Sequence, residues 1–265
     1  MKKILVCFGT RPEAIKMAPV IHELHRQGMD YKVCVTAQHR EMLDQVLELF
    51  EIVPDYDLDI MKPGQDLYDL SSNILLGMKE VLTQYKPDVG IHGAAMTNVD
   101  ACELDPEACE LLNVTATQHL VDAANQVGAH FLFVSTDFIF DGTSGPYKEE
   151  DKPAPLSIYG HAKLKAEQIV MNQCTSWAIA RTVLVYGLVA DMSRSNIVLW
   201  ARESLANHKK INVVDDQFRS PTLAEDLAMG CALIADQEAK GIFNISGKDQ
   251  MNIYELVQRV ATYFG

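Results

Sequence analysis

KKILVCFGTRPEAIKMAP, residues 2–19, opens as a short apolar run and passes at once into a segment with helical spacing. An apolar run of this length, closed by a glycine, reads as a buried strand. Thr10 and Glu13 make a capping box: the threonine accepts from an amide of the first turn and the glutamate reaches back, while Pro12 is tolerated there. Strand, tight turn and helix in that order form the first unit of a nucleotide-binding α/β sheet. At this turn a glycine-rich fingerprint normally lets the backbone approach a pyrophosphate. Here a single glycine, Gly9, is followed by Arg11, Pro12 and Glu13.

Working outward, YKVCVTA, DVGIHGAA, HFLFVST and WAIARTVLVYG join KKILVCF as buried strands rich in Val, Ile and Phe. Between them EAIKMAPVIHELHRQ, HREMLDQVLELF, DLYDLSSNILLGMKEVLTQY, ACELLNVTATQHLVDAANQ and YGHAKLKAEQIVMNQ carry the helical period, and DYDLDIM near 55–61 is a short candidate strand. This alternation predicts an α/β fold with a doubly wound, mostly parallel sheet covered by helices on both faces. The last third is mixed. SNIVLWARESLANHK, PTLAEDLAMGCALIA and NIYELVQRVATYFG read as helices, INVVDD and GIFNISG as strands. DGTSGPYKEEDKPAP (141–155) reads as a solvated surface excursion.

The 265 residues are 48% hydrophobic and carry a formal charge of −13. Such a charge offers no basic face for counterion release, which excludes nucleic acid as a partner. No apolar run reaches the ~20 residues of a membrane span, and the start is too short for a signal peptide. Six scattered cysteines without a CxxC pair read as small buried fillers in a reduced, cytoplasmic protein. Cys102 and Cys109 can share a helix face, but no histidine pattern makes them a zinc site, and no metal is expected.

The strongest chemistry lies in residues 135–163. In SIYGHAK, Tyr159 and Lys163 stand at i and i+4, one turn apart on one helix face. A nearby cation favours phenolate, so such a tyrosine can exchange a proton with a substrate oxygen near neutral pH. Upstream, HFLFVSTDFIFDG ends a strand in Ser135, Thr136 and Asp137, and functional side chains of parallel sheets gather at strand carboxyl ends. Thr136 can bond the same oxygen that Tyr159 protonates. The alternative is that the tyrosine and lysine lie on a solvated face and that Ser135 and Thr136 merely end a strand.

AAMTNVDACE, NVTATQHLVDAA, FVSTDFIFDGTSGPY, EEDKPAPLSIYGHAKLKAE, RTVLVYG and DQFRSPTLAEDLA run from about Ala94 to the end. Together they resemble the extended short-chain dehydrogenase/reductase family, in particular its dTDP-4-dehydrorhamnose reductase branch. The resemblance implies a Rossmann-like sheet with a small C-terminal substrate lobe. It makes Tyr159 the general acid, Lys163 the holder of the nicotinamide ribose, and Thr136 the residue that orients the carbonyl. Asp137 and Phe138 would line the substrate pocket, and Ala94, Ala95 and Thr97 would run beside the cofactor. Arg181 and Tyr186 would face cofactor or substrate. The implied reaction is hydride transfer from NAD(P)H to the 4-keto carbon of a nucleotide-linked deoxyhexose. Members of this branch usually continue past a position like YFG, which implies a shortened substrate lobe. A homodimer is left open.

The first ninety residues resemble something else. GTRPEAIKMAP, TAQHREMLDQVLELF and DYDLDIMKPGQDLYDL are similar to the start of the non-hydrolysing UDP-N-acetylglucosamine 2-epimerases. In that family the Arg11 and Lys16 positions belong to the nucleotide-sugar site. KPDVGIHGAAMTNVD is the seam; reductases commonly carry Asn where His92 or Gly93 stands. The chain therefore divides into an epimerase-like first half of the sheet (1–92), a reductase-like second half with the catalytic residues (93–190) and a mixed C-terminal portion (191–265). An epimerase half could pair the first strand with the fourth and complete one sheet, at a cost of about 1–3 kcal/mol for each packing mismatch.

Three functions follow for comparison: an NAD(P)H-dependent nucleotide-sugar reductase impaired by loss of the glycine loop, an inactive nucleotide-binding protein of the same fold, and an epimerase lacking its second lobe. Gly9 and the helix amides could still meet a phosphate, with charge from Arg11 and Lys16, although Glu13 competes for that field. The second strand ends in TAQHR, without the acidic residue that binds a ribose. Arg40 would suit a 2′-phosphate and so favour NADP over NAD; alternatively it opens a solvated helix.

Overall fold

Lys3–Phe8 forms β1, next to the central strand of a seven-stranded sheet in the computed structural model, which describes residues 2–9, 11–36, 40–60, 64–65, 67–187 and 196–264. Its parallel neighbours are β2 (Asp30–Val35) and β4 (Val89–His92). Beyond β2 lies β3 (Tyr56–Asp57). Beyond β4 lie β5 (His130–Thr136), β6 (Trp177–Thr182) and β10 (Gly241–Ile245), giving the order β10-β6-β5-β4-β1-β2-β3. Every pair in it is parallel. The chain winds outward in both directions from β1 and β4, which places the topological switch point between them. This is the expected doubly wound architecture.

Alternate strand residues serve opposite faces. Ile4, Val6 and Phe8 pack with α1 (Arg11–Arg26), α2 (Arg40–Leu49) and α9 (Ala224–Gln237) in the largest core. Leu5 packs on the other face against α3 (Leu67–Tyr85), while Phe131, Phe133 and Ile179 meet α6 (Ala116–Val127) and α7 (Ile158–Gln173). Large Met17, Val20, Ile21 and Leu24 of α1 share their core with Ala228, Cys231, Ala232 and Ala235 of α9. Bulk on one helix and small residues on the other let two elements far apart in sequence approach closely.

The seam therefore closes as backbone pairing. Ile4 to Cys7 register with Val89 to His92, and Val89 to His92 register with His130 to Phe133. The packing beside it is less complete. Leu5, Cys7, Met78, Leu82, Gly90, His92, Leu120 and Phe131 are among the residues around an apolar cavity of about 30 Å³. His92, caught between the Phe131 and Phe133 rings, bonds Thr117 through Nε2 at 3.3 Å and leaves Nδ1 without a protein partner.

Two expectations are corrected. WAIARTVLVYG is two strands, β6 and β7 (Val185–Tyr186), broken at Leu184 with φ of 38°. INVVDD is irregular rather than a strand. The 141–155 excursion is exposed but pinned: the Glu149 carbonyl accepts from Arg181 at 3.1 Å and its carboxylate from the Asn244 amide at 2.9 Å. The C-terminal portion adds β8 (Phe218–Arg219) antiparallel to β11 (Met251–Asn252), β7 parallel to β9 (Thr222–Leu223), and α8 (Ile197–Ala206) against α10 (Ile253–Phe264). Among the described residues no helix is long and apolar enough to cross a membrane, and all six cysteines are free.

Gly90 tests the cavity directly. A Cβ built there meets only Phe131, at 4.0 Å. Gly90→Ala should stabilise the protein by about 0.4–1 kcal/mol through a less free unfolded chain and partial filling. Urea unfolding with a lowered midpoint would contradict the space assigned to this site.

Candidate active site

β5 delivers Ser135 and Thr136 to the carboxyl edge of the sheet, and a 3₁₀ turn, Asp137–Ile139, follows. The Thr136 hydroxyl caps that turn, accepting from the Phe138 amide at 3.3 Å and donating to Asp137 Oδ1 at 3.2 Å. Helix α7 begins beside it, with Ser157 accepting from the Gly160 amide at 3.0 Å and Glu103 accepting from the Ile158 amide at 2.8 Å. Gly160 lets the turn come close, because a Cβ there would stand 2.3 Å from the Phe138 carbonyl oxygen. Tyr159 and Lys163 are both buried on α7. The Tyr159 phenol lies beside the Thr136 side chain, which acts on its protonation, and its ring meets Phe138 edge-on at 5.7 Å.

Lys163 Nζ donates to the Val134 carbonyl at 2.9 Å and lies 3.9 Å from the centre of the Phe133 ring. Burial pulls its pKa down to about 7, with Glu167 opposing and Lys16 of α1 adding to the fall. Burial also pushes the Tyr159 phenol well above its ordinary value; Thr136 eases this, while Asp137, Cys102 and Cys109 reinforce it. The expectation that Lys163 holds the phenol near neutrality is thus corrected. In the free protein desolvation dominates, which keeps Tyr159 protonated and suited to giving a proton.

Other predicted residues divide. Ala94, Ala95 and Thr97 lie half-buried in the loop after β4. That loop is held by Asn113, which sequence reasoning passed over: its side chain accepts from the Met96 amide at 2.9 Å and donates to the Met96 carbonyl at 3.1 Å. Asn113 sits in a π-helical turn, Leu111–Thr115, between α5 (Pro106–Glu110) and α6, and such turns accompany functional sites. The NVTAT stretch was the available signal. Asp137 and Phe138 stand beside Tyr159, and Tyr186 is half-buried on β7. A second residue passed over is Arg219 of β8, whose Nε lies 3.7 Å from Asp137 Oδ2.

Arg181 does not face a ligand. It is buried and clamps Glu167 with two bonds, Nε to Oε1 at 3.1 Å and Nη2 to Oε2 at 2.7 Å. The physical reason is that a buried guanidinium needs a matched carboxylate. Arg40 is also corrected: it opens α2 and is paired with Asp44, Asp57 and Asp59 at 3.1, 2.6 and 3.6 Å. Three carboxylates around one cation leave net negative charge where a 2′-phosphate would sit.

A dinucleotide fits one end of this edge better than the other. Among the described residues, Thr36, His92 and Ser135 at the ends of β2, β4 and β5 carry buried polar atoms without protein partners. Ser135, with Tyr159 and Lys163, suits the nicotinamide end, whereas Thr36 lies on the far side of β1. The pyrophosphate end does not fit. The Gly9 amide already donates to the buried Glu13 carboxylate at 2.6 Å, so a phosphate there would meet a like charge. The glutamate reaches Gly9; Thr10 and the Arg11 side chain lie outside the described residues. Met17 of α1 also crowds Gly93, where a Cβ would stand 2.5 Å from its terminal methyl.

A family model described as RmlD substrate binding domain matches residues 46–265. The chain belongs to that family, and the match begins within α2, upstream of the seam in β4. A probable UDP-N-acetylglucosamine 2-epimerase of Ralstonia nicotianae is 64% identical over 101 residues, 37% of this chain and 27% of that protein. The beta subunit of methionine adenosyltransferase 2 of Xenopus tropicalis is 36% identical over 192 residues, 71% of this chain and 58% of that protein. The chain thus spans less than two thirds of either relative's length. The dTDP-4-dehydrorhamnose reductase of Clostridium acetobutylicum matches over 98% of this chain and 79% of its own, at TM-score 0.76 and 25% identity. A Bacillus anthracis reductase solved in complex with NADP shares the fold at TM-score 0.76 and 22% identity, over 99% of this chain and 80% of its own.

Two variants separate structural from ligand-facing roles. Glu167→Gln strips the partner from buried Arg181 and should cost about 3–5 kcal/mol in denaturant unfolding; an unchanged midpoint would return Arg181 to the candidate ligand set. Glu13→Gln removes the charge held against Gly9 and should tighten NADPH binding by about five- to tenfold in calorimetric titration. Equal or weaker binding would show that Glu13 is not the obstacle.

Proposed function

We propose that this chain reduces the carbonyl of a nucleotide-linked deoxysugar of the 4-dehydrorhamnose type. The observation that carries this reading is the contact of Thr136 with Tyr159 at the carboxyl end of β5, with Lys163 one turn further along α7. Membership of the RmlD substrate binding domain family and the similarity to a dTDP-4-dehydrorhamnose reductase support it. In this reading Tyr159 meets the carbonyl oxygen and the protonated phenol gives that oxygen its proton, while Thr136 beside it orients the phenol. Lys163, with donors beyond the one spent on Val134, orients a ribose hydroxyl next to Tyr159. Asp137 and Phe138 border the sugar, Tyr186 lies on the lobe side, and Ala94, Ala95 and Thr97 flank the cofactor. A nicotinamide cofactor supplies the hydride when bound, and the occupied Gly9 amide implies that it binds weakly. The units carrying these parts are an epimerase-like 1–92, a catalytic 93–190 and a mixed lobe 191–265.

A second reading, a nucleotide-binding subunit without turnover, is favoured by the Glu13–Gly9 bond and by the similarity to a methionine adenosyltransferase beta subunit over 71% of this chain. The test is consumption of NADPH with dTDP-4-dehydro-6-deoxymannose, followed by absorbance. The wild type should turn over, and Tyr159→Phe should lose about 10²–10⁴-fold, the usual size of a general acid's contribution. Turnover equal in both proteins, or in neither, would leave the binding subunit as the better account.

A further inference from the structure

Arg219 lies about eighty residues downstream of Asp137, on a two-stranded ribbon outside the main sheet. Yet its Nε stands 3.7 Å from Asp137 Oδ2, and its guanidinium lies 6.0 Å from the centre of the Phe138 ring. It thus stands against two of the three residues of the turn beside Tyr159. The other carboxylate oxygen of Asp137 accepts the Thr136 hydroxyl proton at 3.2 Å. A threonine hydroxyl has one proton to give. While that proton points at Asp137 it is not given to Tyr159, so the phenol beside Thr136 keeps its own proton for donation.

We infer that Arg219 is a positioning residue: from the C-terminal lobe it keeps Asp137 as the acceptor of the Thr136 hydroxyl, and so aims the Tyr159 phenol. The inference rests on the reading of Thr136 and Tyr159 as a carbonyl-reducing pair. Arg219 itself touches neither.

The electrostatics run in the same direction. Burial raises the Asp137 carboxyl above its ordinary value, and Arg219 and Thr136 hold it down. The titratable and charged groups acting on Asp137 among the described residues are Arg219 from β8 and Tyr159 from α7. Without Arg219 the raising influence of burial stands less opposed, so Asp137 takes up a proton at higher pH. A protonated Asp137 no longer needs the Thr136 proton and can donate to the Thr136 oxygen, which reverses the hydrogen bonds along the row. The pair is partly exposed, so solvent weakens the effect without changing its sign.

The test is the titration of Asp137 followed by its carboxyl carbon shift in ligand-free protein. In Arg219→Gln the midpoint should rise by about half to one pH unit, and Arg219→Lys, which keeps the cation, should recover most of it. In turnover assays the acid limb of the kcat profile should move up by the same amount in Arg219→Gln, with KM for the sugar changed less than kcat. Asp137→Asn should abolish the limb, and adding Arg219→Gln to it should then change nothing further. An unmoved midpoint in folded Arg219→Gln would overturn the inference, as would an additive double variant. If Arg219→Gln does not fold, Arg219→Met takes its place: a raised Asp137 midpoint in it supports the inference, and an unmoved one overturns it. The midpoint is read without substrate, so absence of turnover in the wild type sinks the proposed reaction, whereas a static midpoint sinks only the role of Arg219.

Discussion

The hydrogen-bonded ladder between β1 and β4 is the constraint on which the rest of the molecule depends. Each strand is buried on both faces, so an unpaired edge at either would leave a row of buried amides and carbonyls without partners. With the ladder closed, β2 and β3 extend the sheet one way and β5, β6 and β10 the other. The switch point then falls where the first helix and β5 face one carboxyl edge. Because backbone pairing is indifferent to side chains, strands whose sequences resemble two different families can align in one sheet. Side-chain packing is less forgiving, and the cavity beside Gly90 and His92 lies where residues of both kinds meet.

The site gathered at that edge is chemically two-sided. On the β5 side, apolar burial keeps the Tyr159 phenol protonated and brings Lys163 close to neutrality, while Thr136, Asp137 and Arg219 supply direction. On the β1 side, the amide that would approach a phosphate is bound to a carboxylate from its own helix. Lys16 links the two, since its charge is felt at Lys163. A buried phenol–lysine pair and a first turn whose Gly9 amide is already occupied therefore share one sheet edge.

Some side chains that looked free for ligands are spent on the fold. Arg181 opens a motif similar to the reductases, but the low dielectric around it demands a carboxylate, and Glu167 on α7 provides one. That pair also tethers α7, and with it Tyr159 and Lys163, to β6. Arg40 is spent on the three acids beside α2 in a similar way, though at the surface. Asn113 shows the opposite case: an inconspicuous amide in a π-helical turn holds the loop after β4 by both of its hydrogen-bonding groups.

The strands, their parallel arrangement and the Thr136, Tyr159 and Lys163 set were legible in the sequence because each rests on local pattern. Burial on both faces makes an unbroken apolar run, and a four-residue spacing puts two side chains on one helix face. The absent glycine cradle was legible for the same reason, since backbone approach to a phosphate requires particular residues at consecutive positions. Partners that come from distant elements were not legible. That Glu167 meets Arg181, that Arg219 reaches Asp137, and that the small face of α9 receives α1 depend on how helices and lobes stack across the sheet. The direction of the Tyr159 and Lys163 shifts was decided there as well, because desolvation is set by everything packed around a group, and only the tertiary structure determines that.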